Sequence, residues 1–125
     1  GKFIWKNGRQ CGQNGDLQYT GKVVLLTDER AQSYAEFTVM ALQTGDNVTT
    51  IGSQTSGADG NISTIEMVDG HKTAITGIGI FYPDNTATQR KGVKIDIEVR
   101  PTIQGIIDGK DEVLEKAIEF INRNV

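Results

Sequence analysis

The sequence contains little of several residue types that define particular protein classes. One cysteine, Cys11, excludes an internal disulfide and leaves the redox compartment open. With a single histidine besides, no paired cysteine or histidine supports a metal or thiol site. Thirteen basic residues against sixteen acidic ones give a net charge of -3, which argues against nucleic acid as a partner. No apolar run approaches the roughly 20 residues of a membrane helix.

The residues that are present fit one globular domain or most of one. The chain has 125 residues, a length that supports a modest core but not two. Hydrophobic residues make up 37% and charged residues 23%, as in ordinary globular proteins. Fifteen glycines indicate a loop-rich fold that contains strands. The sequence begins with GKFIW and has no initial methionine, so we expect the chain to be a fragment of a longer protein.

Hydrophobic periodicity predicts a strand, a helix and a strand, followed mostly by β structure. The order of the first three elements predicts a parallel βαβ unit, and Asp69-Gly70 predicts a tight hairpin turn. The predicted elements are a polar loop at 6–21, a strand at 22–27 buried on both faces, a helix at 32–43, a strand at 48–51, a hairpin at 65–68 and 72–75, strands at 78–82 and 94–99, and a final helix capped by Asp111.

Ser33 stands where the first predicted strand gives way to the first helix. Backbone N–H groups at a helix start are unpaired, and the positive end of the helix dipole lies there. A serine oxygen in this place can attack a carbonyl carbon while the N–H of Tyr34 helps to hold the resulting oxyanion. Serine is also a favoured helix cap. The local pattern therefore leaves both a nucleophile and a cap open.

Three other polar residues are candidates for a role at the same site. Glu36 lies one turn after Ser33 on the same helix face, and we expect it to order the site rather than perform chemistry. Asp59 is expected to order a loop, with a catalytic or binding role as the alternative. Histidine is the commonest general base, but His71 follows Asp69-Gly70 at a hairpin tip, where we expect a solvated side chain.

The stretch GKVVLLTDERAQSYAE, residues 21–36, resembles the nucleophile segment of the carboxy-terminal processing (tail-specific) serine peptidases. In their A-S-A-S-E pattern, the nucleophile is the serine three residues before the glutamate. Ser33 and Glu36 hold these positions, while Gln32 and Ala35 depart from the pattern. Further segments match in order: VTTIGSQT at 48–55, MVDG at 67–70, GVKIDIEV at 92–99, and DGKD and LEKA within 108–117. The resemblance covers residues 18–122.

One departure from the family pattern concerns the general base. The family's usual base is a lysine in T-F-G-K-G, and the position 25 residues after Ser33 holds Ala58. Alanine cannot take a proton, so the family's serine–lysine dyad cannot form. Three explanations stay open. Ala58 is an engineered change, the protein is a pseudo-peptidase, or the base comes from another segment, as in relatives that use a histidine from the first half of the domain.

The resemblance implies an α/β fold with a crotonase/Clp-protease-like core, a mixed sheet with flanking helices, and a partial domain. Residues 1–125 would be the second half of a peptidase catalytic domain, with residues 1–21 as a loop-rich lead-in. The first half, which carries a D-L-R-x-N-x-G-G oxyanion motif in the family, has no match here.

The implied function is a serine endopeptidase that acts on polypeptides through an acyl-enzyme at Ser33, without a cofactor or metal. The chain alone is expected to be inactive. The family also implies the periplasm or cell envelope of a bacterium. The alternatives are a catalytically dead, peptide-binding relative, and an unrelated α/β domain that matches by chance.

Overall fold

The computed structural model describes residues 4–6 and 19–123, and this part of the chain contains two sheets and three helices. Cys11 and most of the predicted lead-in loop lie outside the described residues. The fold is α/β, as expected, with parallel and antiparallel strand pairs in separate sheets.

The predicted βαβ unit is present. β1 (Val23–Thr27) and β2 (Val48–Gly52) pair in parallel, and α1 (Tyr34–Leu42) connects them. Thr27 pairs with Gly52, so both strands end at the same edge of the sheet. The prediction that β1 is buried on both faces is wrong, since most of it is half-buried and Leu26 is 45% exposed. Within the described residues β1 has a neighbouring strand on one side only.

The second sheet is a free-standing hairpin. β3 (Ile62–Glu66) and β4 (Lys72–Thr76) pair antiparallel, and all ten of their residues are exposed. The turn contains Gly70 with φ 82°, a conformation that glycine adopts without strain, as the Asp-Gly signal predicted. β3 begins three residues earlier than the sequence pattern placed it.

Two predicted strands are largely loop. Between residues 78 and 82 the only strand pairing is an isolated bridge from Phe81 to Ala87, and the Ile78 carbonyl accepts a hydrogen bond from the Gln89 side chain. Between residues 94 and 99 the strand is reduced to β5 (Ile97–Glu98), which pairs in parallel with the end of β2. Just before β5, the Asp96 carboxylate accepts the Thr50 N–H at 2.7 Å, so a side chain replaces a regular ladder contact.

The chain ends in two helices. α2 (Ile103–Ile107), which the sequence pattern did not predict, is capped by Thr102. α3 (Glu112–Asn122) packs on β1 and β2, and the predicted cap is confirmed, because Asp111 accepts the Leu114 N–H at 2.9 Å. Lys22 donates to carbonyls at the C-terminal end of α3, where a cation is favourable. None of the helices in the described residues has the length and apolar character needed to cross a membrane.

A small core lies between α1 and the loop that precedes β5. Met40, Tyr82 and Val93 are its buried members, and Val39, Ile80 and Ile95 pack against them. The Tyr82 hydroxyl donates to Gln43 Oε1 at 2.6 Å and accepts the Lys94 N–H at 2.9 Å. This hydroxyl therefore ties the end of α1 to the loop before β5.

We predict that Tyr82→Phe lowers the free energy of unfolding by about 1 kcal/mol, because the part-buried hydrogen bonds of its hydroxyl to Gln43 and to the Lys94 N–H are lost. Urea unfolding measures this change. Tyr34→Phe is the matched control, since the Tyr34 side chain is 76% exposed, and its effect should lie within about 0.5 kcal/mol. Equal effects of the two substitutions would contradict the structural role of the Tyr82 hydroxyl.

Candidate active site

Ser33 is the cap residue of α1, one residue before the helix proper, and its side chain is exposed. The helix therefore starts two residues later than predicted. The backbone before it is shaped by Asp28, whose Oδ1 accepts the Arg30 N–H at 2.9 Å in a local turn. Ser33 itself has φ 55° and ψ -122°, a positive φ that is uncommon for a residue other than glycine. Strained strand-to-helix turns of this kind present the nucleophile in other hydrolases.

The two N–H groups at the start of α1 have different roles. The Ser33 N–H faces the protein and donates to the Ala58 carbonyl at 3.1 Å and to Glu36 Oε2 at 3.2 Å. Within the described residues, the Tyr34 N–H donates no hydrogen bond. The Tyr34 N–H is therefore a donor that the start of α1 leaves available, and its role in an oxyanion hole stays a prediction.

Glu36 is the most deeply buried ionisable residue near Ser33, with no exposed surface. Besides the Ser33 N–H, its carboxylate accepts the Thr55 hydroxyl at 2.6 Å and the N–H groups of Gly57 and Ala58 at 2.8 and 2.9 Å. The expectation that Glu36 orders the site therefore agrees with its contacts. The sequence pattern did not reveal Thr55 and Gly57 as its partners.

Ala58 lies directly beside Ser33, as the spacing of the resemblance requires. Its carbonyl accepts the Ser33 N–H, and its methyl side chain is exposed. The segment of residues 90–91 packs against this loop. The Gly57 carbonyl accepts the Arg90 N–H at 2.7 Å, and the approach is so close that a Cβ at Gly57 would lie 2.8 Å from Lys91 N. The position that carries the family's lysine is thus next to the candidate nucleophile, and no proton acceptor occupies it.

Asp59 adjoins this loop, but its carboxylate points into the protein. The residue is 5% exposed, Oδ1 accepts the Gly60 N–H at 2.7 Å, and Oδ2 has no partner among the described residues. Burial raises the pKa of the Asp59 carboxyl, the Gly60 N–H opposes this shift, and the Glu36 carboxylate adds to it. A catalytic or binding role for Asp59 stays a prediction.

His71 lies away from this group. It occupies the hairpin turn, its side chain is 84% exposed, and Nδ1 is 2.9 Å from Asp69 Oδ2. Cys11 lies outside the described residues. Among residues 4–6 and 19–123, no group of three or more histidine, cysteine, aspartate or glutamate side chains could hold a metal ion.

The family model for peptidase family S41 matches residues 5–99. The chain belongs to peptidase family S41. No curated protein sequence matches it significantly.

Solved structures share the S41 chain's fold at low sequence identity. A candidate peptidase from Parabacteroides merdae is 23% identical with a TM-score of 0.77, over 84% of this chain and 33% of that one. The tricorn protease is 21% identical with a TM-score of 0.68, over 91% of this chain and 12% of that one. The photosystem II D1 C-terminal processing protease is 21% identical with a TM-score of 0.56, over 67% of this chain and 22% of that one. The S41 chain thus spans a third or less of each of these structures.

We predict that Asp59→Asn removes a contribution to stability that decreases as the pH rises. The folded chain holds the Asp59 proton more tightly than the unfolded chain, so the contribution of Asp59 is greatest at low pH. It is lost as the pH rises through the raised pKa, above the usual value of about 3.9. The stability of Asp59→Asn relative to wild type should therefore increase with pH, as measured by thermal unfolding across the acidic range. A difference that is constant with pH would contradict this prediction.

Proposed function

We propose that this chain carries the nucleophile of an S41 serine peptidase, and that Ser33 is that nucleophile. The observation that carries the proposal is the exposed Ser33 in a strained turn, beside a free Tyr34 N–H and beside position 58. Family membership supports a polypeptide substrate. The tail-specific type and a bacterial periplasmic or envelope location rest on the sequence resemblance alone and are part of the proposal.

The proposed reaction has two stages. Ser33 Oγ attacks the carbonyl carbon of the peptide bond, a general base takes the hydroxyl proton, and the Tyr34 N–H stabilises the oxyanion. The intermediate collapses to an acyl-enzyme, and the base returns the proton to the leaving amine. Water, deprotonated by the same base, then attacks the ester, and the base returns this proton to Ser33 Oγ as the ester C–O bond breaks and the acid is released.

The base and a second oxyanion donor come from segments outside the described residues. No hydrogen bond joins Ser33 to a lysine or histidine side chain in the described part of the chain, and Ala58 stands at the usual lysine position. The first half of the catalytic domain is the proposed source. Ala58 also supports a second candidate function, a peptide-binding relative that has lost its base.

The 125-residue chain alone should show no peptidase activity. It lacks the base, and loss of one oxyanion donor by itself costs on the order of 10²–10³-fold in rate. Hydrolysis of fluorogenic peptides by the purified chain measures this. Cleavage that Ser33→Ala abolishes would show that the 125-residue chain suffices for catalysis.

In the complete catalytic domain, Ser33 should react with a fluorophosphonate probe much faster than an exposed serine such as Ser56. An activated serine loses its proton to the base as it attacks, whereas an ordinary surface hydroxyl does not. Labelling of the wild type beside Ser33→Ala and Ala58→Lys measures the reactivity.

Equal background labelling of the wild type and Ser33→Ala would reject the enzyme and favour the peptide-binding relative. Strong labelling found only in Ala58→Lys would show that the scaffold around Ser33 is intact and that the base alone has been lost.

A further inference from the structure

The buried charge of Glu36 has no cation to balance it within the described residues. Its four contacts are three backbone N–H groups and one hydroxyl, and no salt bridge to it occurs in residues 4–6 and 19–123. Burying a carboxylate is costly unless hydrogen bonds compensate. Here donors from the helix start and from the loop of residues 55–58 supply that compensation.

One oxygen atom of Glu36 joins the two positions that matter for the chemistry. Oε2 accepts the Ser33 N–H at 3.2 Å and the Ala58 N–H at 2.9 Å, so the nucleophile position and the usual base position are both fixed to the same atom. Oε1 accepts the Thr55 hydroxyl and the Gly57 N–H and holds the rest of the loop. The separation between positions 33 and 58 therefore depends on this carboxylate.

Thr55 extends this arrangement to a third segment. Its hydroxyl donates to Glu36 Oε1 at 2.6 Å and accepts the Val93 N–H at 2.9 Å. A threonine or serine hydroxyl can donate one hydrogen bond and accept another through the same oxygen atom. A Cβ at Gly92 would lie 2.5 Å from Thr55 Oγ1, so the backbone of the following loop packs tightly behind the threonine.

We propose that Glu36 is a positioning residue of this site, and that it acts through Thr55 and the loop of residues 55–58. Its carboxylate fixes position 58 beside Ser33 and keeps the Ser33 N–H occupied, so that the Tyr34 N–H is the donor that faces substrate. This role deepens the proposed peptidase function and rests on it for its catalytic consequence.

The contacts also distinguish positioning from proton transfer. A carboxylate has about four acceptor sites, and all four partners of Glu36 are donors, so no site is left to take the Ser33 proton. Glutamine has the same shape but would place an NH₂ group against two of these donors. Glu36→Gln therefore replaces one of the two acceptor oxygens with a donor and changes the volume little.

Amide hydrogen exchange on the 125-residue chain tests the positioning role without any need for activity. Glu36→Gln should accelerate exchange at Gly57 and Ala58 by at least about tenfold while the α3 amides keep their protection. Thr55→Val should accelerate the same amides several-fold, and Thr55→Ser, which keeps the hydroxyl, should restore protection.

Unchanged exchange at Gly57 and Ala58 in Glu36→Gln would overturn the proposal. If Glu36→Gln does not fold, the comparison of Thr55→Val with Thr55→Ser tests the proposal. Equal exchange rates at Gly57 and Ala58 in these two variants would overturn the proposal.

Kinetics of the complete catalytic domain test the catalytic consequence. Glu36→Gln should lower kcat on the order of 10²-fold, since a small misplacement of reacting groups costs this much, with little change in KM and an unchanged pH profile. Thr55→Ser should retain most of the activity that Thr55→Val loses.

Loss of the acidic limb of the pH profile in Glu36→Gln, the limb on which activity rises as a general base loses its proton, would instead make Glu36 the base and would overturn positioning. If wild-type Ser33 does not react with the fluorophosphonate probe, the proposed peptidase function is rejected. The hydrogen-exchange result would still show whether Glu36 positions the loop of residues 55–58.

Discussion

The carboxylate of Glu36 is the contact on which the arrangement around Ser33 depends. It is fully buried, and its four hydrogen bonds connect the start of α1 to the loop that follows β2. Removing one partner of a buried charge is far more disruptive than losing an exposed ion pair, because the remaining groups are left without partners. The arrangement is therefore cooperative, since each donor helps to offset the cost of burying the charge.

The parallel sheet brings these partners within reach. Thr27 and Gly52 end adjacent strands side by side, and the Ser53 N–H donates to the Thr27 carbonyl at 3.0 Å just beyond them. The approach is so close that a Cβ at Gly52 would lie 2.0 Å from that carbonyl oxygen, and φ at Gly52 is 139°. The segments carrying Ser33 and Ala58 leave the same edge of the sheet, the place where open α/β sheets usually form their sites.

Sequence patterns predicted the parts of this fold whose signals are local. β1, α1 and β2 follow from hydrophobic runs and their order, the hairpin from Asp69-Gly70, and α3 from its Asp111 cap. The segment from residue 78 to 96 could not be predicted in the same way. Its backbone is held by side chains from distant positions, such as Gln43 Nε2 on the Lys94 carbonyl, and periodicity carries no information about such contacts.

The site shows the same division between local and distant signals. Ser33 at a helix start follows from local pattern, and its link to Glu36 follows from spacing on one helix. The burial of Glu36 could not be derived from periodicity, because a charged residue near a helix start is usually exposed and favoured there by the dipole. Its partners Thr55 and Gly57 come from a loop about twenty residues away, and only the family resemblance pointed to that loop.

The backbone at Ser33 bears on whether this residue is only a helix cap. Cap residues usually have an extended backbone, whereas Ser33 has φ 55° and ψ -122°. Glycine adopts a positive φ freely and costs only a few tenths of a kcal/mol as a cap, while a strained non-glycine residue costs about 1–3 kcal/mol. A helix that needed only a cap would be at least as stable with glycine at position 33. The need for a cap alone therefore does not account for the strained serine at position 33, and the proposed role of Ser33 as nucleophile supplies a reason for it.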